Sequence, residues 1–248
     1  MRKLKTVSMG KFGKWIAGGV GWAFFGPLGG LIGFAVGSLF DNAEELPAAL
    51  EGRQTTPGDF AFSLLVLIAA VMKADGKVMR SELDYVKAQL IRIFGIDSAN
   101  EALQMLKKIL NRDIPLEDVT RQISNRLDYS SRLQMLHLLY GISGADGNYT
   151  TNELDVIDRI AHGLGISTAD RESIRAMFIP RTDAYYKILE IEPSVTDEEV
   201  KKAYRKMAVK YHPDKVAHLG EDFRKIANEK FQKVNEAYEK IKNERGIK

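Results

Sequence analysis

Residues 196–215 read TDEEVKKAYRKMAVKYHPDK, and they predict an amphipathic helix that ends abruptly. Thr196 and Glu199 form a capping-box pattern at its start, which satisfies backbone N–H groups that have no partner inside the helix. Because the residue before a proline avoids the helical conformation, Pro213 should end the helix one or two residues earlier. The stretch therefore predicts a helix with a defined start and a sharp corner at its end.

The corner carries an imidazole and a carboxylate, because His212 and Asp214 flank Pro213. We expect the Asp214 side chain to accept a backbone N–H just after the turn. The helix before the corner is strongly basic, and this pattern predicts a cationic helix that presents both groups rigidly. The simpler interpretation is a helix stop beside a solvated charged face. The basic residues are Lys201, Lys202, Arg205, Lys206 and Lys210.

A second amphipathic helix, over residues 221–244, should pack antiparallel to the first. A short helix at 183–191 is expected to cover one end of this hairpin. A domain of about 66 residues is small for independent folding, so we expect modest stability. The predicted core places Val200, Tyr204, Met207 and Tyr211 against Ile226, Phe231, Val234 and Tyr238.

The segment 183–248 resembles the J domain of DnaJ-type co-chaperones. The similarity lies in YYKILEI, EEVKKAYRKMAVKYHPDK and KFQKVNEAYEKI, which occur in this order. The glycine/phenylalanine-rich segment and cysteine zinc modules of full-length DnaJ are absent, which favours a specialised J protein that recruits its chaperone to a place. The resemblance implies that His212, Pro213 and Asp214 trigger ATP hydrolysis in a DnaK-type chaperone. It also implies that the basic helix docks on that partner through Lys201, Lys202, Arg205, Lys206 and Lys210.

An internal repeat occupies the middle of the chain. ADGKVMRSELDYV (74–86) aligns with ADGNYTTNELDVI (145–157) at a period of 71 residues, and a Gly-Ile pair follows each copy. Each copy predicts a helix, an Asp-Gly break, a second helix and a stop at Gly-Ile. The preceding stretch 60–72 is apolar on all sides, which is typical of a central buried helix.

Each copy of the repeat carries an aspartate and a glutamate seven residues apart. The spacing equals the end of an EF-hand loop, but the carboxylates of the first half of such a loop are missing. If the repeat brings its two loops together, the four carboxylates could hold one divalent cation. Alternatively, the aspartates break helices and the glutamates stabilise a first turn, although Met79 replaces the capping threonine in the first copy. The four acids are Asp75 and Glu82, then Asp146 and Glu153.

The paired ADG…E motifs on an all-helical repeat resemble the TerB domain of tellurite-resistance proteins over residues 59–179. The resemblance implies an all-α domain of membrane-linked stress systems. It also implies a divalent metal site at the repeated acids, as assigned to some members.

The N-terminal run 15–40 contains 26 uncharged residues, eight of them glycine, which is enough to cross a bilayer as a helix. A single spanning anchor is one interpretation, and a membrane-embedded loop bent at Gly26-Pro27 is another. A soluble glycine-rich segment or a cleaved signal is the third. Gly29, Gly33 and Gly37 have the spacing of packed membrane helices, which would permit a homodimer.

The charges flanking this run predict a membrane orientation that conflicts with the cytoplasmic location of the predicted partner. Residues 1–14 hold five Lys/Arg and no acid, so the positive-inside rule keeps the N-terminus in the cytoplasm and exports the rest of a single-span protein. A J domain needs an ATP-using partner, which in bacteria is cytoplasmic. We therefore expect a bacterial inner-membrane protein whose J domain faces the cytoplasm.

Composition excludes several other classes. The 248 residues include no cysteine, which excludes disulfides and thiol catalysis, and the net charge of +3 does not indicate nucleic-acid binding. No nucleophile motif, P-loop or dinucleotide fingerprint is present, so we do not expect an enzyme, and no cofactor is required beyond the cation considered above.

The whole chain resembles the DjlA family of membrane-anchored, DnaJ-like bacterial proteins. This resemblance implies an all-α regulatory co-chaperone that stimulates a DnaK-type chaperone and recruits that chaperone to the membrane. The alternative function is a metal-responsive TerB-type stress scaffold with the J domain as output. The expected domains are a basic tail and membrane segment at 1–40, a linker at 41–58, a TerB-like domain at 59–179 and a J domain at 183–248.

Overall fold

The computed structural model describes residues 57–76, 78–179 and 183–247. Within these ranges the chain is helical and has no β-strand, which confirms the predicted all-α class. The predicted membrane segment and nearly all of the linker lie outside the described residues, as does Lys77. Across the described ranges, no helix combines the length and the apolar character needed to cross a membrane.

The described residues form nine α-helices in two domains. The middle domain, 57–179, contains α1 (Pro57–Met72), α2 (Arg80–Leu110), α3 (Leu116–Arg126), α4 (Tyr129–Ser143), α5 (Thr151–Gly163) and α6 (Thr168–Ala176). The C-terminal domain, 183–247, contains α7 (Ala184–Ile188), α8 (Asp197–Lys210) and α9 (Glu221–Arg245). Short 3₁₀ segments cover Gly144–Asp146 and Pro213–Leu219.

Helix α1 forms the centre of the middle domain, as its all-round apolar sequence predicts. Every residue from Phe60 to Ala69 is buried, and α2, α4 and α5 pack around it. A helix that is apolar on all faces has no favourable surface position in water, so its neighbours must enclose it. The position of α1 therefore follows directly from its composition.

The two copies of the repeat end differently. Helix α5 ends at Gly163, close to the predicted Gly-Ile stop, but α2 continues through Gly95 to Leu110. Gly95 alone takes a non-helical conformation, with φ 76° and ψ 168°. The helix resumes because Ala99, Ala102 and Met105 keep helical spacing and are buried in the core. The predicted stop in the first copy is therefore a kink.

The C-terminal domain is the predicted helical hairpin. Helices α8 and α9 pack together, and the rings of Tyr204 and Tyr238 stack with centroids 4.2 Å apart. The Arg245 guanidinium donates to the Val195 carbonyl at 2.6 Å and to the Tyr186 hydroxyl at 3.1 Å, which joins the end of α9 to the loop before α8. These contacts fix the direction of α8 and therefore of the corner that follows it.

The two domains share a hydrophobic core. Phe223, at the start of α9, is fully buried, and its ring centroid lies 4.6 Å from that of Phe60 and 5.8 Å from that of Phe94. On the other side of the interface, the Ser173 hydroxyl donates to the Ile188 carbonyl at 2.7 Å. The middle domain therefore supplies apolar burial that the small C-terminal domain lacks by itself.

Candidate partner-binding site

The corner after α8 is exposed and held by a short local cap. Helix α8 ends at Lys210, and His212 is the N-cap of the 3₁₀ segment that begins at Pro213. The Asp214 backbone N–H donates to His212 Nδ1 at 3.3 Å. The His212 and Asp214 side chains are 48% and 62% exposed. The histidine thus satisfies the backbone N–H of Asp214 and still presents the rest of its ring to solvent.

This cap corrects one expectation from the sequence. The Asp214 carboxylate was expected to accept a backbone N–H, but within the described residues it contacts side chains. It lies 3.5 Å from His212 Nδ1 and 3.4 Å from the Arg224 guanidinium. The His212 ring approaches the Phe231 ring edge-on, with centroids 5.7 Å apart. Side chains of α9 therefore orient both groups of the corner.

A shallow cleft of about 450 Å³ opens beside the corner. Its lining combines apolar side chains with the imidazole and the carboxylate, and Val209 is strongly exposed at its edge. An apolar surface with a few polar groups is the usual composition of a recognition site. The lining residues are Ala208, Val209, His212, Asp214, Lys215 and Phe231.

The five basic residues of α8 do not have the same environment. Lys202 and Arg205 are exposed, and Lys201 pairs with Glu198 at 3.2 Å. Lys206 lies 3.0 Å from a Glu190 carboxylate oxygen and is still 66% exposed.

Lys210 is held inside the domain interface and is only 22% exposed. Its ammonium lies 2.6 Å from carboxylate oxygens of both Asp170 and Glu190. Burial acts to lower the pKa of Lys210, but these two carboxylates outweigh it and leave the pKa above its ordinary value. The described surface therefore presents Lys202, Arg205 and Lys206 openly, whereas Lys201 and Lys210 are partly covered.

The fold brings the two acidic loops of the middle domain together. Thr150 Oγ1 lies 3.1 Å from Asp75 Oδ1 and 3.0 Å from Glu153 Oε2. The Glu82 and Glu153 side chains are both buried, and Glu153 is close enough for its charge to act on Glu82. Burial, together with the nearby charges of Glu153 and Asp146, raises the pKa of Glu82. Among the described residues, however, no group of three or more acids or histidines is arranged to hold a metal ion.

Both glutamates cap their own helices. Glu153 accepts the Thr150 backbone N–H at 2.9 Å, and Glu82 accepts the Met79 backbone N–H at 2.7 Å. The contact in the first copy needs only a backbone donor, so Met79 is compatible with it. Capping therefore does account for the glutamate in both copies, contrary to the argument from the sequence.

The sequence did not identify two contacts that join the domains, or a lysine buried beside one of them. Asp170 accepts from the Tyr211 hydroxyl at 3.0 Å, and His218 Nε2 lies 3.0 Å from Asp128 Oδ2. Lys230 is 3% exposed, with its ammonium 4.5 Å from the centre of the Tyr211 ring. Only Lys230 has a local signal, because it lies four residues from both Ile226 and Val234 on the apolar stripe of α9.

Three protein families match successive parts of the chain. Residues 9–54 match the family described as Co-chaperone DjlA transmembrane domain. Residues 61–176 match Tellurite resistance protein TerB, and residues 184–247 match the DnaJ domain. No solved structure matches the chain. The domain limits derived from the sequence stay predictions.

Curated relatives extend this similarity over most of the chain. The Co-chaperone protein DjlA of Vibrio vulnificus is 28% identical over 262 residues, which cover 86% of this chain and 91% of the relative. Its counterpart from Photobacterium profundum is 27% identical over 279 residues, covering 96% and 100%. The Chaperone protein DnaJ of Wolinella succinogenes is 55% identical, but over only 60 residues, which are 24% of this chain and 15% of the relative.

The order of the three family matches is the order expected from the sequence. Similarity to the DnaJ relative is confined to a short segment, whereas the DjlA relatives align over nearly their whole lengths. The transmembrane-domain match places a membrane anchor at the N-terminus. The chain therefore belongs to the DjlA family of membrane-anchored J-domain co-chaperones, which are not enzymes.

Proposed function

We propose that the chain stimulates ATP hydrolysis by a DnaK-type chaperone and recruits that chaperone to the membrane. The observation that carries the proposal is the exposed His212–Pro213–Asp214 corner at the end of a basic helix. Lys201, Lys202, Arg205, Lys206 and Lys210 are proposed to dock on the acidic surface of the partner.

In the proposed mechanism, this chain lowers the activation barrier for ATP hydrolysis in the partner and carries out no chemistry itself. The corner would bind a state of the chaperone close to its hydrolytic transition state better than the resting state, which lowers the barrier. Lysine and arginine on α8 would mainly accelerate encounter, and this contribution weakens as salt screens the charges.

The experiment is a single-turnover ATPase assay of a DnaK-type chaperone with the full chain in detergent micelles. We expect His212→Gln to reduce stimulation nearly to the basal rate while far-UV circular dichroism stays unchanged. His162→Gln is the matched control, because His162 is exposed on α5 in the middle domain. Stimulation by His212→Gln within about twofold of wild type, which is less than 0.5 kcal/mol in barrier, would contradict the proposal.

We also propose that the C-terminal domain faces the cytoplasm, where ATP is available to the partner. The transmembrane-domain match supports an anchor, and a bent membrane loop would leave both ends on the same side. Reporter fusions after residue 58 test this orientation. Activity of a reporter that works only in the cytoplasm is expected, and activity of one that works only outside would contradict it.

A metal-responsive scaffold is the second candidate function. The observation that favours it is the burial of Glu82 and Glu153 near each other, since two neighbouring buried carboxyl groups gain from a shared cation or proton. Asp75 and Asp146 would complete the set of oxygen ligands. Titration calorimetry with Ca²⁺, Mg²⁺ and Mn²⁺ tests it against Asp146→Ala. Heat that disappears in the variant supports a site, and the absence of heat for every ion removes this candidate.

A further inference from the structure

The last turn of α8 contacts the middle domain through buried ionic groups. The Asp170 side chain is 3% exposed and that of Glu190 is 5% exposed, and both contact the Lys210 ammonium. The adjacent Tyr211 hydroxyl donates to the same Asp170 carboxylate. Unlike an ion pair on the protein surface, this contact is largely removed from water and screened little by salt.

Asp170 is held ready for this contact by its own domain. The Tyr129 hydroxyl donates to Asp170 Oδ2 at 2.7 Å, and the Ser167 hydroxyl donates to the same atom at 2.6 Å. Burial acts to raise the pKa of Asp170, but the hydrogen bonds from Lys210, Ser167 and Tyr129 outweigh it and lower the pKa. The middle domain therefore presents a fixed anion to the end of α8.

Glu190 reaches Lys210 from a strained backbone. Its φ is 59°, and it is the only residue other than glycine with a positive φ in the described ranges. Residues with a Cβ adopt this conformation at an energetic cost, and such strain persists where surrounding contacts compensate for it. The compensating contacts here are with Lys206 and Lys210, two of the five basic residues on α8.

Other groups near this interface oppose tight packing. Lys230 is buried beside the Tyr211 ring, and this burial disfavours its charge and lowers its pKa. Asp170 partly offsets that effect, and Lys210 adds a smaller repulsion. Gln134 lies on α4 three residues after Ser131, whose hydroxyl lies 3.4 Å from His218 Nε2 across the interface. The Gln134 amide is fully buried and has no hydrogen-bond partner among the described residues. Unsatisfied polar groups of this kind reduce the net stability of an interface.

We propose that Asp170 of the middle domain and Glu190 of the C-terminal domain form an acidic clamp that holds Lys210 at the interface between the two domains, so that chaperone docking competes with the clamp. The inference rests on the proposed function, because Lys210 is one of the cations proposed to dock. In the clamped state the partner can contact Lys202, Arg205 and the His212 corner, but Lys210 is held by the two carboxylates. Release of the clamp frees Lys210 to join the other basic residues of α8 in docking. The middle domain would therefore weaken chaperone binding for as long as the clamp is closed.

The test compares two clamp variants with two matched controls in the full chain in detergent micelles. Asp170→Asn removes the charge and keeps the shape, and Glu190→Gly removes the carboxylate and relieves the positive φ. Asp128→Asn alters another interface carboxylate, which contacts His218. Glu192→Gln alters an exposed carboxylate in the loop that follows Glu190.

We expect both clamp variants to lower the co-chaperone concentration for half-maximal ATPase stimulation about three- to tenfold, which corresponds to about 0.7–1.4 kcal/mol. The maximal rate should stay unchanged, as should both quantities in the controls. Adding Lys210→Gln to Asp170→Asn should abolish the gain. Unchanged or weaker stimulation by both clamp variants, or a gain that survives Lys210→Gln, overturns the clamp.

A second measurement does not depend on the chaperone. Amide hydrogen exchange of residues 207–211 should accelerate at least about tenfold in Asp170→Asn relative to Asp128→Asn, because local opening sets the exchange rate. Unchanged exchange overturns the clamp. A wild-type chain that fails to stimulate the ATPase overturns the proposed function, and the exchange result then decides about the clamp separately.

Discussion

Replacing Lys230 by methionine tests whether the interface really buries an ammonium group. Lys230 is 3% exposed, and its ammonium lies 4.5 Å from the centre of the Tyr211 ring. Methionine keeps an unbranched apolar stem of similar length and removes the charge. The substitution therefore changes the electrostatic cost of burial with little change in packing.

The magnitude follows from the pKa of this lysine. Burial, opposed by Asp170 and reinforced by Lys210, lowers the pKa of Lys230 from 10.5 to about 7. At about 1.4 kcal/mol for each pH unit, that lowering amounts to about 5 kcal/mol of lost stability below pH 7. The cation–π contact with Tyr211 recovers part of it, on the order of 2 kcal/mol for a desolvated pair.

The stability changes with pH in the same direction as for a carboxylate whose folded-state pKa is lowered, but the pH window is alkaline. Because the folded-state pKa is below the unfolded one, the unfolded chain binds more protons between about pH 7 and 10.5. The free energy of unfolding of the wild type therefore rises with pH by up to about 1.4 kcal/mol per unit in this window. Lys230→Met lacks that rise. Its free energy of unfolding should therefore exceed that of the wild type most below pH 7, and the difference should shrink above pH 7.

Urea unfolding of the full chain in detergent micelles, followed by far-UV circular dichroism at several pH values, measures this difference. We expect Lys230→Met to be more stable than the wild type by about 3 kcal/mol near pH 6, once the cation–π contribution is deducted. Lys240→Met on the exposed face of α9 is the control. A variant that is less stable than the wild type at every pH, or that keeps the wild-type slope, would refute the reasoning.

Three further changes test the packing, the start of α8 and the acidic pair. Phe223→Ala should lower the free energy of unfolding by about 3–5 kcal/mol and split urea unfolding into two transitions, whereas one unchanged transition would contradict a shared core. Thr196→Ala should cost about 1 kcal/mol and a few degrees in thermal midpoint, and no loss would argue against the capping box. Glu82→Gln keeps an acceptor for the Met79 N–H and removes repulsion from Glu153. It should therefore raise the thermal midpoint at neutral pH, and a lower midpoint would argue against that repulsion.

Much of the fold was predictable because the decisive signals are local. The apolar stretch at 60–72 could only be a central helix, and the capping box at Thr196 with Pro213 defined both ends of α8. The kink at Gly95 was missed because a glycine followed by renewed helical spacing gives the same local signal as a helix stop. Local patterns therefore located the helices better than the breaks between them.

The environment of the candidate site was less predictable because it depends on contacts between distant residues. Lys210 and Asp170 are 40 positions apart, and a lysine on the polar face of a helix has the same pattern whether it is solvated or clamped. The Ser167-to-Asp170 spacing predicts a helix cap, which it is, but gives no sign that the same carboxylate binds another domain. Lys230 is the exception, since its place on an apolar stripe is visible in the sequence.

The most direct test of the central claim is whether the chaperone touches the corner after α8. A photo-crosslinking residue in place of Val209, which is exposed at the edge of the cleft beside His212, reports contact without relying on ATPase activity. The matched position is the exposed Asn125 on α3 of the middle domain. With ATP present, we expect position 209 to crosslink to the ATPase domain of a DnaK-type chaperone, His212→Gln to reduce that product strongly, and position 125 to give none. Equal products from both positions, or none from position 209, would contradict the account.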